Sequence, residues 1–143
     1  MMVVTFFVLG VWLMGCTNGL LVPCQGKPFR CMCNDGNLTM ICTGDVDVIP
    51  TGDYFYNRLE YVDFYDVTFT DLWCMLYYEK LKLVKAFNCV QNVCNQIGYI
   101  WDLRQHGKNP FNVTGNCKYS DEAIADMREK QPNRTPPPCE PNI

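Results

Sequence analysis

Leu59-Glu60-Tyr61-Val62-Asp63-Phe64-Tyr65-Asp66-Val67-Thr68-Phe69 is the stretch that decides the fold. Its pattern Leu-x-x-Val-x-Phe-x-x-Val returns 22 residues later as Leu81-x-x-Val84-x-Ala86-x-x-Cys89, and a step of 22 in the other direction meets Met40 and Cys42. Alternation along each run predicts two inward-facing columns, Met40, Val62, Val84 and Cys42, Phe64, Ala86, on one face of short strands. Equal spacing stacks such strands side by side and parallel. The competing reading is an ordinary β-rich domain in which the spacing is a coincidence.

Working outward, the chain has 143 residues, 48% of them hydrophobic, a net charge of −3 and 10 cysteines. That length suits one compact domain. Twelve Lys and Arg against fifteen Asp and Glu provide no basic stripe for phosphates, so nucleic acid is not expected as a partner. In a reducing cytosol so many thiols imply metal sites or redox chemistry, whereas in an oxidising compartment they staple a fold whose core alone is marginal.

The N-terminus supports that compartment. Met1 to Met14 carries no charge and holds an apolar run, Val3 to Leu13, too short to span a bilayer comfortably. It reads as a signal peptide over residues 1–19, cleaved after Gly19, although no Lys or Arg precedes the run. A retained anchor, or a lipid attached at Cys16, is the competing reading. Asn37-Leu38-Thr39, Asn112-Val113-Thr114 and Asn133-Arg134-Thr135 are N-glycosylation acceptor motifs, consistent with a secreted product that leaves the membrane after cleavage. Removal of residues 1–19 leaves nine cysteines, an odd number, so one thiol is free, bonded to another molecule or paired with a retained Cys16.

The repeat resembles the leucine-rich repeat. Cys24-x6-Cys31-x-Cys33-x8-Cys42, followed by Val48-Ile49-Pro50, is similar to the cysteine-rich N-terminal cap of extracellular members of that family. The resemblance implies pairs Cys24–Cys33 and Cys31–Cys42. Cys89-x4-Cys94 with Cys117 and Cys139 resembles the C-terminal cap, implying Cys89–Cys117 and Cys94–Cys139 and leaving Cys74 as the odd thiol, open to a covalent homodimer. A competing arrangement pairs Cys117 with Cys139 and ties Cys74 to Cys89 or Cys94. The implied fold is α+β, a short leucine-rich-repeat-like solenoid of parallel strands between disulfide-rich caps. It assigns 20–139 to one domain, with the N-terminal cap at 24–50, two repeats at 51–88, the C-terminal cap at 89–139 and a tail at 140–143.

Between the strands, Thr68 or Thr70 is expected to cap a turn or short helix carrying Leu72, Trp73, Met75, Leu76 and Tyr77 as core. Helices are expected around Ile97, Ile100, Trp101 and Leu103, and near 120–130 behind a Ser120 cap. The Pro-rich tail reads as an extended strap ending in Cys139.

No catalytic constellation emerges. His106 is the single histidine and reads as a surface residue, and neither a triad, a metal site, a phosphate loop nor a cofactor is implied; Gly36 and Gly44 read as turn glycines. The informative surface is the outward face of the strands. Equal spacing sets Tyr61 beside Leu83, Asp63 beside Lys85 and Tyr65 beside Phe87, with Thr39, Ile41 and Thr43 on the neighbouring strand and Tyr54, Phe55, Tyr56 and Arg58 at the border. Aromatic rings around a charge pair have the composition of an interface hot spot, and the resemblance implies a concave recognition face for an extracellular protein or glycan. Cross-strand stabilisation is the plainer account of the same pairs. The alternative function is a secreted disulfide-rich effector or inhibitor acting through the 104–116 loop or the Pro-rich tail.

Overall fold

The computed structural model describes residues 21–24, 30–107, 109–130 and 139. The expected signal peptide, the Asn133 motif, the 140–143 tail and the strap before Cys139 lie outside the described residues. The elements run β1 (Val22–Pro23), β2 (Cys31–Asn34), β3 (Thr39–Val48), α1 (Asp53–Asn57), β4 (Tyr61–Asp71), a 3₁₀ turn (Trp73–Tyr77), β5 (Leu83–Phe87), α2 (Gln91–Gln105), β6 (Asn112–Gly115) and α3 (Asp121–Lys130).

The strands form one six-stranded sheet in chain order. β1, β2 and β3 are antiparallel, whereas β3, β4, β5 and β6 run parallel. The sheet is therefore mixed, which corrects the expectation of parallel strands throughout. Four residues separate β2 from β3, room for a hairpin and too few for a parallel crossover. Asn34 Oδ1 closes that turn by accepting from the Gly36 and Asn37 amides.

Within the parallel part the register follows the repeat. Met40, Val62 and Val84 are partners across three strands, as are Cys42, Phe64 and Ala86, and all six are fully buried. Each strand is entered through the same hydrogen bond: Tyr61 donates to the Leu38 carbonyl, Leu83 to that of Glu60 and Asn112 to that of Lys82. Each run also breaks at the same place. Gly44, Asp66 and Asn88, spaced by 22, have φ of 70°, 54° and 57°, a left-handed conformation that Gly, Asp and Asn tolerate better than branched residues.

The helices and the 3₁₀ turn cover one side of the sheet, bringing Leu72, Met75, Tyr78, Val93, Ile97 and Ile100 onto the two columns. Gln96 clamps α2 to the sheet, its amide nitrogen donating to the Thr70 carbonyl and its oxygen accepting from the Leu72 amide. At the entry to the 3₁₀ turn it is Asp71, not Thr68 or Thr70, whose side chain accepts, its Oδ1 taking the Trp73 amide; the cap position itself is Leu72, and Thr70 is buried. The expected Ser120 cap is present, with Oγ accepting from the Ala123 amide. Arg104 is buried and donates to the carbonyls of Leu76, Tyr78 and Asn109, tying the end of α2 to two loops. Among the described residues no helix is long and apolar enough to cross a membrane.

Four disulfides staple the chain. Cys24–Cys33 and Cys31–Cys42 are the pairs that the resemblance implied. The other two are Cys74–Cys139 and Cys94–Cys117, with Cys89 as the one free thiol among the described residues. Cys89–Cys117, Cys94–Cys139 and an unpaired Cys74 are thus corrected, and the covalent homodimer through Cys74 goes with them. The reason is topological. Cys74 is buried in the 3₁₀ turn and Cys139 is buried against it, while Cys94 sits in the first turns of α2 within reach of the chain leaving β6.

Candidate binding face

Among the described residues, no helix packs on the side of the sheet away from the core. The three expected pairs sit there in register: Tyr61 with Leu83, Asp63 with Lys85 and Tyr65 with Phe87. Lys85 and Phe87 are exposed, the other four are half-buried. Tyr65 and Phe87 stack nearly parallel, with centroids 5.8 Å apart and an 8° interplanar angle. Such a pair is worth about 0.5–1.5 kcal/mol beyond its buried area.

The register widens the face beyond the expected strands. Met32 on β2 pairs with Ile41, Ile41 with Asp63, and Lys85 with Thr114 on β6, so a row runs Met32, Ile41, Asp63, Lys85, Thr114 across five strands. A second row runs Thr39, Tyr61, Leu83, Asn112. Met32, Asn112 and Thr114 were not expected on it. The strand β6 follows a 15-residue helix and so falls out of the 22-residue period.

Asp63 is the electrostatic centre of these rows. Burial raises its pKa above the ordinary carboxylate value, against the opposing pull of Lys85 and of the Tyr65 hydroxyl. The carboxylate is thus held in a place that disfavours its charge, next to an ammonium that partly compensates.

The expected border residues are elsewhere. Phe55 and Tyr56 are buried on α1 against Tyr78, at centroid distances of 5.9 and 6.0 Å, and the Tyr56 hydroxyl donates to the Cys139 carbonyl. Tyr54 is covered by the Arg58 guanidinium, 5.6 Å from its ring, and Arg58 pairs with Asp35 at 3.8 Å. Phe55 and Tyr56 belong to the covered side because α1 is part of the layer that closes the core, whereas Tyr54 is half-buried and Arg58 exposed. His106 is exposed, its ring nitrogen 2.9 Å from the Asp102 carbonyl. Among the described residues there is no cluster of three or more metal-ligating side chains. Within 104–116, Arg104 donates to the Asn109 carbonyl and Asn112–Gly115 form β6.

No protein-family model, curated protein or solved structure matches this chain.

Proposed function

We propose that this chain is a secreted, leucine-rich-repeat-like binding protein that recognises an extracellular protein or glycan through the open face of its parallel strands. The observation that carries the reading is the in-register set of Tyr61, Asp63 and Tyr65 with Leu83, Lys85 and Phe87, half-buried to exposed with no described helix over it, while the other side of the sheet is buried. Aromatic rings supply area at low entropic cost, and a charge pair among them supplies orientation. The 22-residue register and the two N-terminal disulfide pairs support the family likeness, and four disulfides support an oxidising compartment.

The test is a screen of the secreted protein against immobilised extracellular proteins and glycans, repeated with Tyr61→Ala combined with Phe87→Ala. Loss of every retained ligand, with circular dichroism unchanged, supports the face as the site. Unchanged binding by the double variant sinks it.

A further inference from the structure

We propose that Asn112 carries an N-linked glycan that shields the free edge of the sheet. This rests on the reading of the chain as secreted. Among the described residues, β6 is the last strand of the sheet, with β5 as its one strand neighbour. Asn112 and Asn116 donate their amides inward, to the carbonyls of Lys82 and Ala86. The alternation of a strand therefore turns the N–H and C=O groups of Val113 and Gly115 outward. A hollow of about 450 Å³ opens beside that edge, lined by Val113, Thr114, Gly115, Cys117, Lys118 and Tyr119. Unpaired backbone groups next to open space are a template for pairing with another strand.

The strand carries its own remedy. Val113 packs toward the core, so Asn112 and Thr114 project from the opposite side, at the β6 margin of the candidate face beyond Leu83 and Lys85, and both are exposed. They are the first and third residues of an acceptor motif. In the transfer, the Asn112 Nδ2 displaces a lipid pyrophosphate from C1 of the first sugar. The C1–O bond to the carrier breaks, an Nδ2–C1 bond forms, and the amide proton is lost to a base. The folded chain accommodates the product because no core contact is made by either side chain. The second described motif differs in place: Asn37 lies in the β2–β3 turn, with the Thr39 hydroxyl donating to the Asn37 carbonyl, and borders no free edge.

The experiment expresses the full chain in a cultured eukaryotic cell with a secretory pathway and measures the Asn112 peptide of the protein in the medium by mass spectrometry. The expected result is an occupied site that peptide N-glycosidase clears and that both Asn112→Gln and Thr114→Ala abolish. Light scattering then compares wild type, Asn112→Gln, Thr114→Ala and Asn37→Gln at equal concentration. Self-association is expected for the two β6 variants, with wild type and Asn37→Gln monomeric. A secreted, disulfide-bonded protein with an unmodified Asn112 overturns this inference and leaves secretion standing. Monomeric β6 variants overturn the shielding role. A chain retained in the cell with reduced cysteines overturns the secretion reading and this one together.

Discussion

Cys74 and Cys139 are bonded across 65 residues, so the far end of the chain is fixed to the 3₁₀ turn at the centre of the covered side. A cross-link acts mainly by restricting the unfolded chain, and the restriction grows with the loop it closes. Loop closure over 65 residues corresponds to about 4 kcal/mol, against about 2.5 kcal/mol for the 9-residue Cys24–Cys33 loop. Urea unfolding of Cys74→Ser/Cys139→Ser should therefore show the larger loss of stability, and Cys24→Ser/Cys33→Ser the smaller. Equal losses would mean that loop length does not set the contribution of these bonds.

Cys89 is the thiol left over. Burial raises its pKa above the ordinary thiol value, and its sulfur lies 3.6 Å from the Phe87 carbonyl and 3.9 Å from that of Phe64. Thiolate is the reactive form, so a raised pKa means slow alkylation. Iodoacetamide should label the folded protein lacking residues 1–19 slowly at neutral pH and faster as the pH rises. Unfolding without reduction should allow quick labelling at one site per chain, and Cys89→Ser should leave none. Rapid labelling of the folded protein, or labelling that survives in Cys89→Ser, contradicts this arrangement.

Asp63 makes stability pH-dependent in a definite direction. Its pKa is raised in the folded chain, so between the ordinary carboxylate value and the raised one the native state holds more protons than the unfolded state. Stability then falls as pH climbs through that window. Asp63→Asn, which mimics the protonated form, should be more stable than wild type near neutral pH and equal to it in acid below the window. A variant that is less stable at neutral pH would show that the Lys85 attraction outweighs burial.

The repeat was legible because the same physical demand recurs at fixed spacing. Met40, Val62 and Val84 all face one core and are partners across neighbouring strands, so the 22-residue spacing is the spacing of the strands. The hairpin before β3 and the strand β6 were not, since each depends on a partner at a different separation: Val113 pairs with Val84 across 29 residues after a helix has replaced the short return. The C-terminal disulfides were hidden for a related reason. Which sulfurs meet is set by the packing of α2 and the 3₁₀ turn, and local spacing carries no record of it. On the candidate face, the three pairs followed from the period, whereas Phe55 and Tyr56 go to the core because exposure and burial of an aromatic run look alike until α1 is given a side. One signal was present and unread: Gly44, Asp66 and Asn88 recur at the same 22-residue step and mark where each run turns.

That recurring turn yields a last prediction at Asp66, which is exposed and has a φ of 54°. A left-handed backbone costs a residue with a Cβ about 1–2 kcal/mol, most for β-branched side chains, while Gly adopts it freely. Asp66→Val should therefore destabilise the protein by about 1–2 kcal/mol, and Asp66→Gly should be neutral or slightly stabilising. Thr68→Val, an exposed change two residues along the same strand, is the control and should stay within about 0.5 kcal/mol of wild type. Thermal unfolding of the three variants reads the order directly. If valine is tolerated equally at 66 and 68, the left-handed step does not constrain the repeat; if it is rejected at 66 alone, the turn is as much a part of the repeat as its buried columns.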